Sequence, residues 1–116
     1  MEIKFTARHF KASPELQQEA IDNARNFEKF YDGIISVEII LAEESSRENL
    51  KTAEYIVYVQ DHTIVAKETQ EDYYKAIHEA SGKVVRQLRK LKTKATKDLH
   101  QSLELEPEPD STSEMM

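Results

Sequence analysis

Residues 52–97 read TAEYIVYVQDHTIVAKETQEDYYKAIHEASGKVVRQLRKLKTKATK, and the change of hydrophobic period inside that stretch decides the fold. Ala53, Tyr55, Val57 and Val59 alternate with Thr52, Glu54, Ile56 and Tyr58, the period of two that gives a strand one buried face. Gln60-Asp61-His62 reads as a turn, and Thr63 to Thr69 returns as the last strand. The spacing then lengthens. Tyr74, Ile77, Ser81, Val84, Leu88, Leu91 and Ala95 recur three and four apart, which is one stripe of a long helix. Thr69 with Asp72 three residues on resembles a capping box that opens it.

Upstream, Ile3, Phe5 and Ala7 alternate with charged and polar residues and predict a first strand. Ser13-Pro14-Glu15 is a helix start: a hydroxyl cap, a proline at the first position and an acid at the positive end of the dipole. Leu16, Ala20, Ala24, Phe27 and Tyr31 give that helix its apolar stripe, and Asp32-Gly33 is expected to close it through a left-handed glycine. Ile35, Val37, Ile39 and Leu41 are expected on one face of the next strand, with Ser36, Glu38 and Ile40 on the other. Glu43 to Asn49 is polar and reads as a connecting loop. The order is β-α-β-β-β-α. A right-handed crossover makes the first two strands parallel, and short links make the others antiparallel neighbours. The fold class is therefore α+β: a two-layer sandwich with a four-stranded sheet and both helices on one face, like a double-stranded-RNA-binding domain with an extra leading strand.

A chain of 116 residues makes one domain. Residues 1–100 carry the pattern, and 101–116 read as a disordered acidic tail in which Glu104, Glu106, Glu108, Asp110 and Glu114 sit among prolines and serines. The absence of cysteine removes disulfides and thiol chemistry and fits a reducing cytoplasm. The N-terminus has no apolar signal core, and no apolar run approaches the ~20 residues of a membrane helix. A cytoplasmic protein with no membrane partner is expected.

The charge is unevenly spread. Lys83, Arg86, Arg89, Lys90, Lys92, Lys94 and Lys97 put seven positive charges and no acid between residues 83 and 97. The whole chain has a formal net charge of −6, so the rest carries about −13. A solvated helix face ordinarily mixes signs, with acids and bases four apart. An unmixed run repels itself unless a polyanion neutralises it, and nucleic acid is the polyanion that Lys and Arg bind through phosphate. At 100° per residue, Lys83, Arg86, Lys90, Lys94 and Lys97 fall within about 80°, opposite the apolar stripe, with Arg89 and Lys92 on a flank. Phosphate contacts of this kind position a ligand without reading its sequence.

Enzymatic constellations are thin. His9, His62, His78 and His100 are scattered, without metal-ligand spacing, and the only glycines, Gly33 and Gly82, build no phosphate loop. No catalytic residue, cofactor or metal is expected, which also weighs against a small sandwich hydrolase. Phe27, Phe30, Tyr31 and Tyr74, at helical spacing, are expected in the core; Tyr58 and Tyr73 are left as candidates for stacking on RNA.

The second helix, with Asp72-Tyr73-Tyr74-Lys75-Ala76-Ile77, then Lys83, then Arg86-Gln87-Leu88-Arg89-Lys90, Lys92 and Lys94, resembles the ribosome hibernation-promoting factors, the protein Y (ribosome-associated inhibitor A) family. Phe5-Thr6-Ala7-Arg8 before the Ser13 helix start and Glu28-Lys29-Phe30-Tyr31-Asp32 after that helix agree, so the similarity spans about residues 2–100. The resemblance implies a non-enzymatic factor of stationary phase or stress. Such a factor binds the small ribosomal subunit and its 16S rRNA, also in the intact 70S ribosome, in the mRNA and tRNA channel at the A and P sites, and blocks translation by occupancy. The family's basic positions fall on Lys83, Arg86, Arg89, Lys90, Lys92 and Lys94, with Lys97 beyond them and Arg25, Lys29, Arg8 and Lys11 as supporting contacts. Long members carry a further dimerising domain; the chain stopping at Met116 is expected to be a short form, a monomer when free. The competing class is an adaptor whose basic helix docks an acidic protein.

Overall fold

A computed structural model describes residues 1–43 and 50–100, with residues 93–100 described as helical backbone alone. The element order is β1 (Glu2–Arg8), α1 (Pro14–Asn26), β2 (Ile34–Glu43), β3 (Lys51–Val59), β4 (His62–Gln70) and α2 (Tyr73–His100). Sheet order follows chain order, β1-β2-β3-β4, with β1 parallel to β2 and the other pairs antiparallel. The expected α+β sandwich is found. Residues 44–49 of the loop expected over Glu43 to Asn49, and the tail expected after His100, lie outside the described residues; Glu43 itself pairs with Lys51 as the end of β2.

Both helices lie on one side of the sheet. Val37, Ile39, Leu41, Ala53, Tyr55, Val57, Ile64 and Ala66 face them and are buried, as are Leu16, Ala20, Ala24 and Phe27 of the first helical segment and Ala76, Ile77, Ala80, Val84 and Leu88 of α2. Small residues on both helices let the backbones approach the sheet closely. Tyr55 fills the space so created: its ring meets Phe27 edge-on at 5.4 Å, and its hydroxyl donates to the Ala20 carbonyl at 2.9 Å. Ser81 Oγ donates to Asn23 Oδ1 at 3.1 Å and ties α2 to α1.

Ser13 caps α1 as its sequence implies, accepting from the Leu16 amide at 3.1 Å, with Pro14 at the first helical position. Four local expectations are corrected. Gly33 does not close α1 in a left-handed conformation; the helix tightens into a 3-10 turn over Phe27–Lys29, with the Phe30 amide donating to the Phe27 carbonyl. Gly33 is small for a different reason, since a Cβ there would stand 3.0 Å from the Tyr31 ring. Thr69 is not the cap of α2. It is still paired in β4, opposite Thr52, and Asp72 caps the helix by accepting from the Tyr74 amide at 2.8 Å.

Ile35 is not in the core. A bulge between Ile34 and Ser36 adds one residue, so Ile34 is buried in its place and Ile35 is 60% exposed. Tyr74 is also on the surface, 48% exposed, because the buried stripe begins at Ala76 and Ile77, while the half-buried Tyr73 stacks on Phe10 with centroids 4.5 Å apart. The left-handed residues are His9, after β1, and Asp61, in the tight β3–β4 turn.

Burial pushes the Tyr55 pKa well above its ordinary 10.0, with the Glu19 charge adding to the effect. Burial also pushes Tyr73 up to about 12, with Glu43 adding. In the unfolded chain these phenols ionise near 10, so above that pH the unfolded state loses protons that the folded state keeps. Stability is therefore fully present below pH 10 and falls as pH rises beyond it. Urea unfolding at pH 9, 10 and 11 is expected to show this loss and a shallower one in Tyr55→Phe, which at pH 7 costs about 1 kcal/mol for the missing hydrogen bond. An equal slope in both proteins would contradict the assignment to Tyr55.

Candidate nucleic-acid interface

The apolar stripe of α2 dictates where its cations go. With Ala76, Ile77, Ala80, Ser81, Val84 and Leu88 buried and Tyr73, Val85 and Leu91 partly buried against the core, the remaining described side chains of that helix are turned outward. Lys83, Arg86, Arg89, Lys90 and Lys92 are all exposed. At 1.5 Å per residue, the run from Lys83 to Lys92 spreads this charge along about 14 Å, and α2 continues as helix through Lys94 and Lys97. Arg86 and Lys90, one turn apart, have no acidic partner within ion-pair distance among the described residues.

Lys83 and Arg89 are each held by a neighbour. Lys83 Nζ forms an ion pair with Glu68 Oε2 across the α2–β4 rim, so part of its charge is already answered. Glu68 belongs to the helix-facing series of β4 with Ile64 and Ala66, and a carboxylate in that alternation was the signal that the sequence offered for this pair. Arg89 places its guanidinium 5.2 Å from the centroid of the half-buried Phe30 ring. That cation–π contact restrains the side chain and joins α2 to the turn after α1. Neither Glu68 nor Phe30 stood among the expected site residues.

The supporting residues divide into two groups. Arg25 and Lys29 are exposed at the C-terminal end of the first helical segment, the end that reaches α2 through Phe30 and Arg89. Arg8 and Lys11 are exposed too, but strand direction puts them at the other end of the molecule, where Arg8 pairs with Ala42 and Phe10 packs on Tyr73 at the start of α2. Tyr73 is engaged there, with Lys51 Nζ 6.0 Å from its ring as well. Tyr58 is on the uncovered sheet face, away from α2, where it is 37% exposed. Neither tyrosine belongs to the basic surface of α2.

That surface can neutralise phosphates. A row of exposed Lys and Arg on one rigid helix offers several charge-assisted contacts at once, without a cavity or a reactive group. Among the described residues no group of three or more His, Asp or Glu is placed to hold a metal, and no helix is long and apolar enough to cross a membrane.

Residues 3–96 match the family described as sigma 54 modulation protein / S30EA ribosomal protein. A ribosomal subunit interface protein from Coxiella burnetii has the same fold, with a TM-score of 0.68 at 24% identity over 80% of this chain and 99% of that one. The N-terminal domain of protein Y from Thermus thermophilus also shares it, with a TM-score of 0.70 at 18% identity over 78% of this chain and 99% of that one.

The Lys83–Glu68 pair is half exposed on the lysine side, so it contributes little to folding. Glu68→Gln is expected to lower stability by less than about 1 kcal/mol in urea unfolding and to leave the α2 surface more positive. A loss of about 3 kcal/mol would show instead that the pair holds the helix on the sheet.

Proposed function

The chain belongs to the sigma 54 modulation protein / S30EA ribosomal protein family, and from that premise we propose that it is a ribosome-associated translation inhibitor of the hibernation type. It binds the small subunit through 16S rRNA, in free subunits and in the intact 70S ribosome. It occupies the mRNA and tRNA channel at the A and P sites and inactivates ribosomes in the cytoplasm under stress or in stationary phase. No chemical step is involved. Residues 1–100 are the ribosome-binding unit and 101–116 an acidic extension.

The observation that carries this reading is the α2 surface. Arg86, Arg89, Lys90 and Lys92 point outward from a helix whose opposite side is locked in the core. Phosphates lining a channel would meet several of these side chains together, and the sum of modest contacts gives a stable plug. Arg25 and Lys29 extend the surface at the end where Phe30 meets Arg89. Arg8 and Lys11 act at the far end, as a separate contact with the wall of the channel. The continuation of α2 carries Lys94 and Lys97 in the same series.

Sedimentation with purified ribosomes through sucrose gradients tests the proposal. The protein is expected to travel with small subunits and 70S ribosomes at low salt. If Arg86, Arg89, Lys90 and Lys92 each neutralise one phosphate, affinity falls roughly a hundredfold between 50 and 200 mM salt. Arg86→Glu with Lys90→Glu is expected to abolish co-migration while circular dichroism and the unfolding midpoint stay near those of the parent, because both side chains are exposed. Protein left at the top of the gradient at low salt would remove the ribosome reading and favour an adaptor that docks an acidic protein. Retained binding by the folded double variant would move the interface off α2.

A further inference from the structure

The contact between Arg89 and Phe30 is not explained by phosphate binding alone. A phosphate asks only for positive charge, which a lysine supplies as well. Arg89 places its planar guanidinium 5.2 Å from the centroid of the Phe30 ring, within the range of a cation–π contact. Phe30 is itself fixed. It packs against the core, and its amide closes the 3-10 turn on the Phe27 carbonyl at 2.9 Å. Arg89 is nonetheless exposed, so its guanidinium has a held aromatic ring on one side and solvent on the other.

The neighbours decide what can meet that open side. Arg86, Arg89 and Lys92 are spaced three apart and form one row along α2, with about 4.5 Å of rise between them. Arg86 has no acidic partner within ion-pair distance among the described residues. Across the Arg89–Phe30 contact, Lys29 is exposed in the same turn as Phe30. An RNA strand crossing from α2 to that turn therefore finds a cation for its phosphates on either side of the guanidinium.

We propose that Arg89, backed by Phe30, is a stacking platform for one unpaired nucleobase of the bound RNA. Guanidinium planes and aromatic rings hold splayed-out bases in this way, whereas a base inside a duplex is already stacked on its neighbours. Phe30 restrains the guanidinium before RNA arrives, so less freedom is lost when a base stacks on it. Neither of the other candidate rings belongs to this surface: Tyr73 is stacked on Phe10, and Tyr58 is on the uncovered sheet face. The platform favours bulged or single-stranded RNA over a perfect duplex and is tolerant of which base it holds. It rests on the RNA-binding reading and adds a base contact to a surface otherwise made of phosphate contacts.

Two fluorescein-labelled RNA hairpins with the same number of phosphates test it. One carries a bulged adenosine in its stem, the other an abasic residue at the same place. Anisotropy titration with the full chain at about 50 mM salt compares them. The parent protein is expected to bind the adenosine hairpin at least about fivefold more tightly, the low end of what one stacked base supplies. Arg89→Lys keeps the charge and loses the plane. It is expected to bind the abasic hairpin within about twofold of the parent, with the same salt dependence, and to show no adenosine preference. Phe30→Leu keeps an apolar side chain under Arg89 and is expected to reduce the preference. Circular dichroism and urea midpoints show whether each variant is folded, and Arg89→Lys, at an exposed position, carries the test if Phe30→Leu is not. Equal affinity of the parent for both hairpins would overturn the platform and leave the phosphate surface in place. A preference that survives Arg89→Lys would overturn it too, since the base would then stack elsewhere. So would an equal loss on both hairpins in Arg89→Lys, which would make Arg89 a phosphate contact only. Failure of the parent to bind either hairpin would also overturn the platform, and sedimentation with ribosomes would then decide the wider reading separately.

Discussion

Everything about the basic surface depends on one constraint, the one-sided burial of α2. Ala76, Ile77, Ala80, Ser81, Val84 and Leu88 cannot leave the sheet without exposing the core beneath them, at about 1.5–3 kcal/mol for each large side chain. A helix held along one line has no freedom to rotate, so the directions of Arg86, Lys90 and their neighbours are set by side chains on its opposite side. The hydrogen bonds from Tyr55 to Ala20 and from Ser81 to Asn23 extend this lock, fixing α1 to the sheet and to α2. Rigidity matters for a surface made of flexible lysines and arginines. The side chains stay free to adapt, while the spacing of their roots does not change.

What could be read from the sequence was what repeats. Strands with strict alternation, such as Ala53 to Val59, and the long stripe of α2 were visible because burial imposes a period on many residues at once. Single-residue events were not. The bulge that puts Ile34 into the core and Ile35 outside leaves no mark on an apolar pair, since both residues suit either place. Thr69 and Asp72 both make good helix caps, and only the length of β4, whose pairing runs through Gln70, decides for Asp72. Gly33 invited a left-handed reading, whereas its actual constraint is the ring of Tyr31 two residues earlier. Tyr74 fits the spacing of the stripe but is on the surface, the buried stripe beginning only at Ala76 and Ile77, a start that periodicity does not contain.

The site was legible in the same uneven way. A run of cations with no acid is a property of composition, and helical geometry then puts most of them on one side. Which of them are already engaged is a tertiary fact. Lys83 reaches a strand residue fifteen positions away, and Arg89 reaches a ring on the other helical segment. Nothing local distinguishes these two from Arg86 and Lys90, yet the four differ in how much charge each has left to offer a ligand. The two ends of the molecule are likewise invisible until strand directions are known, which is why Arg8 and Lys11 stand apart from Arg25 and Lys29.

An acidic chain with a basic helix raises the question of how a polyanion approaches at all. The uncovered sheet face is close to neutral by register, with Lys4 beside Glu38 and Glu54 beside Lys67. The outward side of α1 is different: Glu15, Glu19 and Asp22 are exposed against Arg25 alone. Packed helices lie about 8–10 Å apart, close to the Debye length at physiological salt, so these acids are only partly screened from anything bound on α2. A polyanion would thus be repelled from the α1 side and drawn towards Arg86 and Lys90. The repulsion weakens at the end where Arg25 and Lys29 follow the acids and Arg89 lies on Phe30. The excess acid confines the positive surface to a ridge and would give a bound polyanion a preferred direction of approach.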